Sequence, residues 1–229
     1  MGSFLNVLAL RYKPSRNVFA RESIGGRSHC PYCRKTLSFI ELIPIFSFLF
    51  QRGKCRSCRH SLSLQYPVVE FLSGLVFAAV PAFLFNFYHS GSYWVYFFSL
   101  IWVLAFLIWL LMVVIDLKHY VVPDELNIGL AFLGAVFVTA LLASKVPLSF
   151  FQNSFLRHYV LLFSPTLNII LNHLLGVLIG GLFFGLIVLF TRGRAMGLGD
   201  VKLALASGLL LGWPDIGLAI ILAFVIGGI

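Results

Sequence analysis

WVYFFSLIWVLAFLIWLLMVVID, residues 94–116, runs for twenty-two residues without a charge and then ends on Asp116. At about 1.5 Å per residue, a helix of that length crosses the hydrocarbon core of a bilayer. Trp and Tyr residues lie near its ends, where interfacial anchors belong. The same reading extends along the chain. Tyr66–Tyr88 is a second span carrying Glu70 near its start, and Leu126–Ala143 and Leu174–Phe190 are two more. Met1–Leu10 is apolar but too short to cross alone, and a further apolar run begins at Ile216. Of the 229 residues, 60% are hydrophobic and only 11% are charged, with 24 Phe. A soluble domain of this length cannot hide so much apolar surface, so the fold class is an all-α polytopic membrane protein.

The connections set the orientation. Between Arg11 and Arg59 lie eleven Lys/Arg against Glu22 and Glu41, which accounts for the whole net charge of +9. From residue 60 onward, six basic residues balance six acids. The positive-inside rule places the basic segment in the cytoplasm. Nucleic acid is not an expected partner, because anionic lipid headgroups account for the charge and no nucleic-acid motif is present. His89–Ser92 is an uncharged turn on the outer face, and Asp116–Glu125 is a polar connection on the inner one. Ser144–His173 reads as an outer loop with an interfacial amphipathic piece, and Arg192-Gly193-Arg194 returns the chain to the cytoplasm. Counting crossings, Asp116 and Asp200 reach the same water–lipid boundary. Carboxylates at span edges are costly and are kept for caps, ion pairs or chemistry. Two on one face are a potential acid–base dyad for peptide hydrolysis. The bland readings are an N-cap role for Asp200 and pairing of Asp116 with Lys118 or His119.

All four cysteines fall in the basic segment as Cys30-Pro31-Tyr32-Cys33 and Cys55-Arg56-Ser57-Cys58. Paired CxxC turns place four thiolates around a tetrahedral ion, so zinc in a small ribbon-like cytoplasmic module is expected, structural and closed to catalysis. Two disulfides are the alternative, disfavoured in a reducing compartment. The twenty-one intervening residues exceed the usual ribbon spacing and predict an inserted helix or hairpin. His29 and His60 flank the knuckles, to hydrogen-bond the cysteine ligands or replace one of them, or as ordinary solvent-facing residues. The organisation is therefore 1–12 as the end of a first helix, 13–64 as the zinc module and 65–229 as the membrane domain.

Several blocks together resemble the bacterial type IV prepilin peptidases: Gly2-Ser3-Phe4-Leu5-Asn6-Val7, both knuckles, Leu42-Ile43-Pro44, Tyr66-Pro67-Val68-Val69-Glu70, Ile115-Asp116 through Val122-Pro123-Asp124, and Gly197-Leu198-Gly199-Asp200-Val201-Lys202. The resemblance implies a GxGD aspartyl endopeptidase of the bacterial inner membrane with Asp116 and Asp200 catalytic. It would remove the basic leader of type IV prepilins or type II secretion pseudopilins. Gly197, Gly199, Asp124 and Lys202 would support the catalytic loop, with Asp124 an alternative catalytic acid on position alone. Glu70 would contact the substrate leader or cap its helix. S-adenosylmethionine-dependent N-methylation of the new terminus is implied for many members, with Gly53-Lys54 at the cofactor, though Lys54 reads equally as a headgroup-binding lysine. The resemblance also implies an upstream half of the first span and further spans beyond Ile229, so a truncated chain is expected. The rival from another class is a non-enzymatic transporter or scaffold with a zinc-ribbon docking module. It fits less well, because the acids sit at span edges and no internal repeat is evident.

Overall fold

A computed structural model describes residues 1–14, 17–88, 93–144 and 168–227. The expected turn at 89–92 and most of the expected outer loop, 145–167, lie outside the described residues. The described chain is helical. It forms α1 (Gly2–Arg11), α2 (Arg21–Ile24), a single 3₁₀ turn (Ile40–Leu42), α3 (Phe46–Phe50), α4 (Gln65–Tyr88), α5 (Tyr93–His119), α6 (Asp124–Ser144), α7 (Ile169–Thr191), α8 (Leu198–Leu211) and α9 (Asp215–Gly227). Helices α4 to α7 are each long and apolar enough to cross a membrane. The 3₁₀ turn and α3 occupy the long gap between the cysteine pairs, as the spacing predicts.

Three boundaries differ from the sequence expectation. Helix α5 does not stop at Ile115 but runs through Asp116 to His119, because Leu117, Lys118 and His119 sustain helix and the Lys118 cation suits its C-terminal dipole. The polar connection thus shrinks to residues 120–123, with Tyr120 turning at φ 53°. Helix α8 begins at Leu198 and not after Asp200, so Asp200 is a helical residue. Helix α7 begins at Ile169, not Leu174, because the Asn168 side chain accepts the amides of Ile170 (2.9 Å) and Leu171 (3.3 Å) and starts the helix there.

The chain divides into two compact units. The first holds residues 1–83 and 102–121. In it α1 lies against the start of α4 so closely that a Cβ on Gly2 would fall 2.6 Å from Glu70 Cα. The end of α5 is fastened to the end of α1: Lys118 Nζ donates to the Leu10 carbonyl at 3.3 Å, and the Tyr12 ring meets His119 edge-on.

The second unit holds residues 84–101 and 122–229. Its core is the seam where α7 and α8 pack along their length, with α6 on the other side of α8. Glycines make the close approach possible. A Cβ on Gly176 would sit 2.6 Å from the Gly208 carbonyl oxygen, and one on Gly134 of α6 would sit 3.1 Å from the Leu210 nitrogen. At the end of this seam His173 hydrogen-bonds the Leu209 carbonyl at 2.8 Å, and the Trp213 amide donates to the Asn172 carbonyl at 2.9 Å.

Candidate metal centre, cavity and acid-bearing turns

The two cysteine pairs build one local structure twice. In the first, the Arg34 amide donates to the Cys30 carbonyl, Cys30 N–H to the Lys35 carbonyl, and His29 bridges Thr36. In the second, Arg59 donates to Cys55, Cys55 to His60, and Lys54 bridges Ser61. Arg34 and Arg59 both turn at φ 56°. Each knuckle buries its first cysteine and leaves its second exposed. All four Sγ atoms lie within 4.8 Å of one another, and those of Cys30 and Cys58 are 3.9 Å apart. A tetrahedral zinc with bonds of about 2.3 Å asks for sulfur–sulfur separations of about 3.8 Å. The donor set therefore fits a four-thiolate metal ion, and no disulfide joins the four sulfurs. Amides of Cys58 and Ser57 draw the Cys55 thiol down to about 7, whereas Cys58, although the His60 amide lowers it, is held up at about 11 by desolvation and neighbouring thiols. His60 stacks on Tyr32, ring centroids 3.4 Å apart, and so ties one knuckle to the other. The His29 ring meets the Arg27 carbonyl, at 3.3 Å.

Beside the thiolates, within the same unit, lies a cavity of about 480 Å³. Its walls include the knuckle residues Cys30, Tyr32 and Cys55, Phe48 of α3, and Tyr66 and Glu70 of α4. Acidic Glu41 and basic Arg11 and Lys118 also border it. Gln51 and Cys55, which flank Gly53-Lys54, line it too. Gly53 turns at φ 68°, and a Cβ there would press to 3.1 Å on the Phe48 ring.

Glu70 is fully engaged. The Ser3 hydroxyl donates to Oε1 at 2.5 Å, and the Ile45 amide donates to Oε2 at 2.8 Å. One carboxylate thereby joins α1, α4 and the N-terminus of α3. It caps α3 and not its own helix. The sequence reading missed Ser3 and Ile45 as its partners, and nothing local signals them. It also missed Glu41, whose Oε2 accepts both the Ser38 amide (2.8 Å) and the Ser38 hydroxyl (2.7 Å). There a signal exists, because Ser38-Phe39-Ile40-Glu41 has the Ser-x-x-Glu form of a capping box. Those two bonds hold the Glu41 carboxyl below its ordinary range, helped by Lys35 and Arg56.

Asp116 sits in the last turn of α5, exposed, with its side chain unpaired among the described residues. Of the partners of its bland reading, Lys118 donates to the Leu10 carbonyl and the His119 ring packs edge-on against Tyr12. In the second unit, Asp200 stands three residues into α8, and Oδ2 accepts the Gly197 amide at 3.2 Å. Gly197 is the N-cap residue, so the N-cap reading of Asp200 is corrected: its carboxylate closes the turn from inside the helix. Gly199 packs on Val122, where a Cβ would come within 3.1 Å of the Val122 side chain. One turn on, Lys202 Nζ holds both oxygens of Asp124, at 2.8 and 2.9 Å. The residues expected to support the GxGD turn are therefore brought together by the packing of α6 on α8.

Residues 1–84 match the bacterial peptidase A24 N-terminal domain, and residues 103–229 match the type IV leader peptidase family. Among curated proteins, a prepilin leader peptidase/N-methyltransferase of Bacillus subtilis is 34% identical, over 90% of this chain and 69% of its own length. One of the same name from Aeromonas salmonicida is 30% identical over 89% of the chain. A type 4 prepilin-like proteins leader peptide-processing enzyme of Escherichia coli is 30% identical over 91% of the chain and 72% of its own length. The chain spans about 60% of the Aeromonas salmonicida relative. No solved structure matches.

Proposed function

The chain belongs to the type IV leader peptidase family, and we propose that it is a membrane-embedded aspartyl endopeptidase that removes the basic leader of type IV prepilins or type II secretion pseudopilins. The observation that carries this reading is the state of two carboxylates at helix ends. Asp116 has no side-chain partner among the described residues, and Asp200 is steadied by one glycine amide through one oxygen, leaving the other available. Glu70 and Asp124, by contrast, each have both oxygens taken.

Two carboxylates that act on one scissile bond do not both ionise at low cost, so in the proposed reaction one keeps a proton while the other is a base. The ionised carboxylate takes a proton from water as its oxygen bonds to the scissile carbonyl carbon. The protonated carboxyl donates to the developing oxyanion. Collapse of that intermediate breaks the C–N bond and passes a proton to the leaving amine. The pair titrates as a unit, so neither aspartate owns the shared proton. The crossing count from the sequence supports placing both acids at the cytoplasmic boundary of the inner membrane. There a prepilin's hydrophobic helix meets its basic leader.

Zinc on Cys30, Cys33, Cys55 and Cys58 would join the knuckles and has no open position for chemistry. The adjoining cavity is of a size that takes a cofactor. We assign it to the methyl-transfer step, in which bound S-adenosylmethionine supplies the methyl group. Glu41 offers negative charge to a sulfonium or an amine, while Tyr32, Phe48 and Tyr66 offer aromatic faces. Gly53-Lys54 would shape this cavity through Phe48. The test is incubation of the purified protein with a prepilin, with and without S-adenosylmethionine, read by product mass. Leader loss, with one added methyl only when the donor is present, is expected. Asp116→Asn and Asp200→Asn should each stop cleavage with zinc content intact, and continued cleavage by both would sink the dyad.

A further inference from the structure

The segment between the knuckles carries an apolar face that no described residue covers. On α3, Phe46, Leu49 and Phe50 fall on one side at i, i+3 and i+4 and are 61%, 64% and 84% exposed. Phe39 and Ile40, which begin the preceding 3₁₀ turn, are 85% and 66% exposed. The opposite side of α3, Ser47 and Phe48, lines the cavity. The segment is therefore two-sided, with its most hydrophobic side outward.

Two observations say what covers that side. The first is depth. Ile45, the N-cap of α3, gives its amide to Glu70, which lies five residues into a helix long and apolar enough to span. Five residues is about 8 Å along the axis, so a spanning helix whose first turn meets the headgroups carries Glu70 at the level of the upper acyl chains. Ser3 of α1 grips the same carboxylate, so this height is pinned from two sides. The second is charge. Arg34, Lys35, Arg52, Lys54, Arg56 and Arg59, all exposed, bracket the apolar residues in sequence, and Glu41 is the one acid among them. Outward Phe and Leu flanked by cations are the makings of a segment that lies in an anionic interface.

We propose that Phe39–Phe50 is a membrane-interfacial segment, with Phe39, Ile40, Phe46, Leu49 and Phe50 seated in the headgroup–acyl boundary of an anionic leaflet. The zinc module is then part of the membrane-bound body, and the lipid surface backs one wall of the cavity. This holds whether or not the chain cleaves prepilins.

The test uses Phe39→Trp and Phe50→Trp, one at a time, in the full chain. The variants are reconstituted in phosphatidylcholine–phosphatidylglycerol vesicles, and the emission of the four native Trp is subtracted. Zinc content equal to the parent's establishes that each variant is folded. The added emission is expected to lose roughly half its intensity to lipids brominated near the top of the acyl chain, less to lipids brominated near its end, and little to aqueous acrylamide, as a boundary location requires. Quenching by acrylamide and not by brominated lipid would overturn the proposal in favour of a water-facing surface. Resistance to both quenchers would overturn it in favour of a protein partner or a second copy.

Discussion

Glu70 binds two donors from different elements, and that makes its substitution informative. Glu70→Ala leaves the Ile45 amide without an acceptor at a half-buried position, which costs about 1–3 kcal/mol. Glu70→Gln keeps one carbonyl oxygen for one of the two donors and should fall between the parent and Ala. Thermal unfolding in detergent checks the order, and equal midpoints for all three proteins would mean the clasp contributes nothing. Lys202 poses the opposite case. Its pair with Asp124 is exposed on both sides, 51% and 61%, so it contributes at most about 1 kcal/mol to stability. Lys202→Gln should leave the unfolding midpoint nearly unchanged yet lower prepilin processing, by up to about a hundredfold if the GxGD turn shifts by an ångström. Unaltered processing would free Lys202 of any positioning role. These residues also mark how far the sequence is legible. The acids and knuckles announce themselves by local spacing. The grip of Lys202 on Asp124, 78 positions away, exists only because α6 packs on α8, and no local pattern encodes that.

Among the elements, the spans are the most legible, since length and composition suffice. Their ends are not, because a helix stops where capping and tertiary contacts stop it. Asp116 illustrates this: Lys118 and His119 find partners at the end of α1, in Leu10 and the C-cap Tyr12, so the helix continues past the acid that composition marks as its end. The α7–α8 seam was half legible. A glycine-rich span suggests close packing, but only the structure says which glycines meet the neighbouring helix. Gly176→Ala would drive a methyl into the backbone of Gly208 and Gly212, both under 3 Å away. Backbone cannot rotate aside, so the helices must part at a cost of about 1–3 kcal/mol. Gly185→Ala, with nothing within 4 Å, should be neutral or stabilise by up to about 1 kcal/mol through helix propensity. Unfolding midpoints of the two variants should therefore move apart. Similar midpoints would show that α7 and α8 are not held by this seam.

For the whole molecule, the most consequential dependence is that of the cytoplasmic module on its four thiolates. Knuckle residues Cys30, Tyr32 and Cys55 form cavity walls, and the chain between the knuckles has no strand ladder to hold it. A metal bond across that loop supplies what a core of this size cannot. Protons compete with the metal for the same sulfurs. Cys55, drawn from its ordinary value near 9 to about 7, contributes stability that is fully present above pH 9 and is lost as pH falls through 7. Below pH 7 this thiol must release a proton to bind metal. Apparent zinc affinity should therefore drop steeply between pH 7 and 5, about tenfold per unit for each proton taken up. Indicator-dye release across that range measures it. Release at fixed pH by a chelator should expose the Lys and Arg residues of 27–59 to trypsin and abolish methyl transfer, because the cavity loses its walls. Leader cleavage should persist, since Asp116 and Asp200 stand on helices that hold no metal. A flat pH profile with four bound thiolates would refute the competition, and trypsin resistance without metal would refute the dependence of the module on its ion.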